Sequence, residues 1–171
     1  MISIREATER DAAELSQLAE RTFRDTFASA NSAEDMEAHC RTTYGASIQL
    51  SEINDSSRTT LLCHASDRLI AYGQLRWNAA PACVVASKPA EIQRLYVDVP
   101  WHGKGVSQAL MASLLSKALA GGADVAWLGV WERNPRAVSF YEKSGFGVVG
   151  EHVFTLGNDS QRDLILAKEL I

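Results

Sequence analysis

No apolar run in this 171-residue chain approaches the roughly 20 residues that span a bilayer. The first residues, MISIREATERD, also lack the basic end and apolar core of a secretory leader. The expectation is therefore a cytoplasmic protein without a membrane partner. Runs of Lys and Arg are missing as well. With a formal net charge of −4 and a sequence pI near 5.6, the chain suits an amine partner better than the phosphate backbone of a nucleic acid. Cysteine is sparse: Cys40, Cys63 and Cys83 are odd in number and form no C-x-x-C pair, so neither a disulfide framework nor a zinc site is indicated and no metal is expected. Repeats, low-complexity tracts and long linkers are absent too. What is present is a composition 46% hydrophobic, enough for one core without staples, and residues 1–171 read as a single domain.

The order of elements sets the class. Residues 2–5 read as a short strand, and residues 8–24 carry a helical stripe of Ala12, Leu15, Leu18, Ala19 and Phe23, with Thr8 as the cap. Residues 31–44 and 47–53 read as further helical pieces, the first opened by Glu34, Asp35 and Glu37, which favour its dipole. Residues 58–65 and 68–77 form a hairpin around Ser66 and Asp67, with Gly73 pointing to a bulge or to close packing. A strand at 91–97 leads through a glycine loop into an amphipathic helix that stops at Gly121 and Gly122. The nearly all-apolar DVAWLGVW, 124–131, suits a strand covered on both faces and parallel to its predecessor. Asn134 and Pro135 open a last helix, which Gly145 closes, and residues 146–154 and 162–167 supply two final strands. The class is α+β with a mixed sheet.

The glycine loop carries the chemistry. In EIQRLYVDVPWHGKGVSQAL, 91–110, Gly103 and Gly105 let the backbone approach a bound group, and the following helix offers free N–H groups and the positive end of its dipole. Pyrophosphate fits such a cradle. A Rossmann fingerprint would need glycine where Gln108 stands, and a P-loop would need Gly-Lys followed by Ser or Thr, whereas Lys104 precedes Gly105. A plain tight turn between strand and helix is the other reading of the two glycines.

LYVDV at 95–99, HGKGVS at 102–107 and NPRAVSFYEKSGF at 134–146 stand in one order, and in that order the chain resembles the GCN5-related N-acetyltransferase superfamily along nearly its whole length. WLGVWERNPRAVSFYEKSGF, GEHVFTLGNDSQRDLILAKEL and FRDTF are similar to the bacterial spermidine/spermine branch. The resemblance implies an acyl-CoA N-acyltransferase fold, a central mixed twisted sheet of about seven strands flanked by helices. It implies acetyl-CoA as co-substrate, bound by His102, Gly103, Lys104, Gly105, Val106 and Ser107. The main chain of Leu95, Tyr96 and Val97 would pair with the pantetheine arm across a gap that a bulge opens. His102 replaces the family's Arg or Gln and Ser107 its last small residue; either can still donate to phosphate, the histidine with pH-dependent charge.

The implied reaction is direct attack of a primary amine on the acetyl thioester. An amine with a pKa near 10.4 loses its proton at pH 7 at a cost of about 4–5 kcal/mol, so a base or a water relay is required. Glu91 occupies the position of the base in histone-type members, with a solvated strand-end carboxylate as the alternative. Backbone N–H near Leu95 would hold the thioester oxygen. Tyr141 matches the family's general acid, or is an aromatic packing residue beside Phe140. Asn134 matches a cofactor contact or is only a cap, and Lys143 reaches a phosphate or is a surface charge. The acceptor is expected to be a small polyamine-like amine, for which Glu34, Asp35, Glu37, Glu132, Glu151 and the tryptophans 77, 101, 127 and 131 are candidates. His39, His64 and His152 lack ligand spacing and receive no function. Peptide amines, or a non-catalytic acyl-CoA sensor, are the alternatives, and exposed strand edges leave a homodimer open.

Overall fold

A computed structural model describes residues 1–171, with Phe154 described by its backbone alone. Strand β1 (Ile2–Glu6) leads through a 3-10 turn into α1 (Ala12–Phe27), whose buried Leu15, Leu18, Ala19 and Phe23 form the anticipated stripe. The entry is fixed by Asp11: its Oδ2 accepts from the N–H and hydroxyl of Thr8 at 2.7 and 3.1 Å, and its Oδ1 from Arg5 at 2.9 Å. Helices α2 (Ala33–Thr43) and α3 (Ala46–Asn54) follow, then the hairpin β2 (Arg58–Ala65) and β3 (Arg68–Trp77), whose turn places Ser66 at φ 53°. Next come β4 (Pro89–Val97), α4 (Val106–Ala120), β5 (Val125–Trp131), α5 (Pro135–Lys143), β6 (Gly147–Leu156) and β7 (Asp159–Glu169). The last hairpin runs further than the expected strands, because Thr155, Leu156, Asp159, Ser160 and Gln161 pair through the backbone and Leu156 is buried in the core. Among the described residues, no helix is long and apolar enough to cross a membrane.

The seven strands form one mixed sheet in the order β1-β2-β3-β4-β5-β7-β6, with β4 and β5 parallel and the other neighbours antiparallel. Apolar side chains pack on both faces. Leu110, Leu114 and Ala118 of α4 cover Leu75, Ala126 and Leu128 on one side, and Leu15, Leu18 and Phe23 of α1 cover Leu62 and Tyr72 on the other. Close packing explains Gly73: a Cβ there would sit 2.6 Å from Leu114 Cδ1, whereas the irregularity in the β2–β3 ladder falls at Cys63 and His64.

The feature that positions a site is in β4. Gln74 pairs with Arg94 and Leu75 with Ile92, so Gln93 has no partner on β3 and forms a bulge. On the other edge, β4 pairs with β5 only at Pro89, Ala90 and Glu91. Beyond Glu91 the two strands part, and their backbone groups face each other across a cleft.

Candidate active site

The cleft has a volume of about 800 Å³ and is lined from four directions: the C-terminal turns of α1, residues 92–97 of β4, the glycine loop with the start of α4, and residues 129–141 with Asp163. Its glycine-loop end is built by main chain. Gly103 and Gly105 take φ of 73° and 81°, and a Cβ on either would meet nothing within 4 Å, so glycine is required by backbone conformation and leaves the loop open to a ligand. The first intrahelical bond of α4 is donated by Ala109 N–H to Gly105, which leaves the N–H groups of Val106, Ser107 and Gln108 without a helical acceptor at the cleft wall. An open loop at the N-terminus of a 15-residue helix fits a pyrophosphate.

The side chains around this cradle divide. His102 lines the cleft, and its Nε2 lies 2.7 Å from the carbonyl of Val97, so that nitrogen carries the proton. Lys104 and Lys143 are not among the lining residues; Lys104 Nζ stands 5.1 Å from the centre of the Trp101 ring. Asn134 does line the cleft and also caps α5, accepting from Ala137 N–H at 3.3 Å, which leaves its amide N–H₂ for a ligand. Arg133 and Arg136 line it as well and were not singled out from sequence. A usable signal existed: cations beside the first turn of a helix oppose its dipole, so two arginines flanking an N-cap mark a place prepared for an anion.

Leu95, Tyr96 and Val97 line the parted strand, on the edge where the ladder to β5 is broken. Residues directly opposite on antiparallel strands share a face, so Glu91, Arg94 and Tyr96, opposite Arg76, Gln74 and Tyr72, point to the α1 side. Leu95 and Ile92 point to the α4 side. A strict period of two would put Leu95 on the face of Glu91, and the bulge at Gln93 breaks that period. Glu91 lies outside the cleft lining, and its carboxylate is ion-paired with Arg76 at 2.8 Å. Burial raises its pKa, and Arg76 and His152 oppose that rise.

Tyr141, on α5, lines the cleft beside Phe140 and Phe146, with ring centroids 5.4 and 6.2 Å away. Burial raises its pKa to about 12, so the phenol keeps its proton across the range in which an amine is acetylated. The glycine loop, the parted strand and Tyr141 therefore line one groove.

The opposite end of the cleft is made of side chains. Phe23, Asp25 and Phe27 of α1 face Arg94, Trp131 and Asp163, with Phe27 and Trp131 at 5.6 Å. Arg94 is held by Glu52 at 2.8 and 3.1 Å; Arg58 joins Glu52 at 2.9 Å and Asp55 at 3.3 Å, so two cations and two anions cancel. Asp25 and Asp163 remain. None of Glu34, Asp35, Glu37, Glu132 and Glu151 lines the cleft: Glu37 binds Arg24 at 3.1 Å, Glu132 binds Arg162 at 2.8 Å and Glu151 binds Arg162 at 3.1 Å. Of the tryptophans only Trp131 is at the wall, while Trp127 is buried against Val84, Val125 and Ile165.

Comparisons with known proteins agree with this geometry. The model of the acetyltransferase (GNAT) family matches residues 13–146. An uncharacterized N-acetyltransferase of Lactobacillus delbrueckii subsp. lactis is 31% identical over 170 residues, 99% of this chain and 98% of its own. One from Mycobacterium tuberculosis is 30% identical over 161 residues, covering 94% of this chain and 99% of its own. Among solved structures, the PaiA N-acetyltransferase of Thermoplasma acidophilum in complex with coenzyme A superimposes with a TM-score of 0.80 at 25% identity, covering 99% of each chain.

Proposed function

This chain belongs to the acetyltransferase (GNAT) family and is an acetyl-CoA-dependent N-acetyltransferase, and we propose that it acetylates a small polyamine-like amine by direct attack within a ternary complex. The observation that carries the acceptor class is the charge left at the side-chain end of the cleft. There Arg94 is neutralised by Glu52, and Asp25 and Asp163 stand among Phe23, Phe27 and Trp131. Carboxylates beside aromatic faces attract an alkylammonium through Coulomb and cation–π terms.

Bound acetyl-CoA would supply an acyl group activated as a thioester. Gly103, Gly105 and the N–H groups of Val106 and Ser107 would cradle its pyrophosphate, with His102, Asn134, Arg133 and Arg136 at the rim. Lys104 and Lys143 stand further out, as screened charges. The main chain of Leu95, Tyr96 and Val97 would pair with the pantetheine arm as an added strand does, which fits the broken ladder beyond Glu91. In this reading a backbone N–H near Leu95 faces the thioester oxygen, and Tyr141 donates to the sulfur as negative charge develops. A phenol near 12 is a weaker acid than a thiol near 8.5, so Tyr141 stabilises the leaving sulfur as a hydrogen-bond donor, and net transfer of its proton requires that the nascent amide nitrogen reprotonate the phenol.

The test is coenzyme A release with spermidine, spermine, lysine peptides, an aminoglycoside and amino acids at pH 7 to 9. Selective release with the polyamines is expected. Release with peptides alone would move the acceptor to protein amines.

A further inference from the structure

Asp163 and His152 meet where β5 leaves room for them. Asp163 of β7 lies opposite Trp131 on one side and His152 of β6 on the other, on the sheet face that Gly129 shares. A Cβ added at Gly129 would stand 3.2 Å from His152 Cε1 and 3.3 Å from Asp163 Oδ2, so the two side chains fill the volume that a residue at 129 would otherwise project into the parting of β4 and β5. Asp163 is 9% exposed and lines the cleft, and its Oδ1 has no hydrogen-bond partner among the described residues. Its Oδ2 lies 4.0 Å from His152 Nε2, and the histidine side chain is 45% exposed. A buried carboxylate at the cleft wall with an unpartnered oxygen is costly unless something cationic comes to it.

We propose that Asp163 is the carboxylate that receives the acceptor's ammonium group and takes its proton, with His152 positioning it and passing the proton to solvent. The proposal rests on the acetyltransferase reading and goes beyond it by assigning the base. The ammonium gives one proton to Asp163. The freed lone pair forms the C–N bond to the acetyl carbon, the C–S bond breaks, and its electron pair leaves on sulfur. The nitrogen loses a second proton as the amide forms, which balances the thiol, so one proton per turnover leaves through Asp163. Burial raises the carboxyl pKa, against the charge of His152, and so brings the base nearer to the amine it must deprotonate. His152 on β6 acts on Asp163, and Asp163 acts in turn on Tyr96 of β4, on which Arg94 of β4 and Tyr141 of α5 also act. Glu91, also within reach of His152, is the competing base.

Asp163→Asn and Glu91→Gln are compared in the full-length protein, with saturating acetyl-CoA and the amine that wild type acetylates best. A wrong polyamine assignment then changes the substrate in the assay and leaves the ratio of variant to wild type intact. Asp163→Asn should lower kcat/KM about 100-fold at pH 7, a deficit that closes by about tenfold per pH unit as solvent supplies free amine. Calorimetry on the coenzyme A complex should show amine affinity reduced about tenfold, with coenzyme A affinity changed less than about threefold. Should Asp163→Asn fail to fold, His152→Gln is read in the same way and should give about a tenfold deficit that also closes with pH. A deficit independent of pH, or a larger loss in Glu91→Gln than in Asp163→Asn, would overturn the assignment.

Discussion

The two ends of the cleft are made of different material. At the end proposed for the phosphates the wall is main chain: a turn with two glycines at positive φ, a helix start, and a strand edge freed by a bulge. At the end proposed for the acceptor it is side chains brought from α1, β4, β5 and β7, among them Phe27, Arg94, Trp131 and Asp163. The first end needs a few glycines in register over one contiguous stretch. The second needs charges to cancel or survive according to what packs beside them, as Glu52 cancels Arg94 across 42 residues of sequence. A ligand shared by a whole family can be held by backbone, whereas a ligand particular to one protein has to be read by side chains.

Variants at one end should therefore leave the other untouched. The largest effect is expected where the ends meet: Tyr141→Phe should lower kcat about 100-fold or more with coenzyme A and acceptor binding little changed, measured by steady-state kinetics with both substrates varied. A loss of coenzyme A affinity instead would make Tyr141 a packing residue.

Gly105→Val places a β-branched side chain at φ 81° and fills the cradle. Strain of about 1–3 kcal/mol should appear as a roughly 10- to 100-fold weaker coenzyme A affinity by calorimetry. The acceptor preference of the residual activity should be unchanged.

Asp98 ties the ends together. Its buried carboxylate takes Arg21 of α1 at 3.2 Å and Arg68 of β3 at 3.2 Å, directly after β4. Burial alone would push its pKa up; Arg21 and then Arg68 more than reverse that and hold it below the usual carboxylate range. Its contribution is thus full above about pH 4 and lost as pH falls through the lowered value. Asp98→Ala should cost about 1–3 kcal/mol at neutral pH, with the difference from wild type shrinking in acid denaturation below about pH 4.

Arg133→Ala with Arg136→Ala should weaken coenzyme A binding about tenfold and reduce its salt dependence while sparing acceptor KM. The smallest effect is assigned to His102. Its Nε2–H is committed to Val97, which leaves the side chain little to offer a phosphate. His102→Gln should therefore change acetyl-CoA affinity by less than about threefold, read by calorimetry. A loss as large as that of the arginine pair would instead put the histidine in direct contact with the phosphates.

Local sequence signals place most of the elements to within a few residues. The hairpin at 58–77, the α4 stop at Gly121 and the parallel entry of β5 were all legible, because apolar period, glycine and N-cap chemistry act over short range. The face of Glu91 was not. One extra residue at Gln93 reverses the alternation, and nothing in EIQRLYV marks where an extra residue is accommodated. Asp163 and His152 were likewise illegible, since their relation to Gly129 exists only once β6 and β7 form a hairpin and β7 pairs with β5. Glu37, Glu132 and Glu151, singled out for the acceptor, proved to be ion-paired elsewhere, because charge in a sequence carries no record of its partner.

The sequence by itself determined that this chain has an open glycine turn before a helix, a shape suited to a phosphate, because φ above zero and free helix N–H groups are properties of consecutive residues. Which carboxylates are left uncompensated to meet an amine was decided only by the tertiary structure, because burial and pairing depend on residues brought together across the fold.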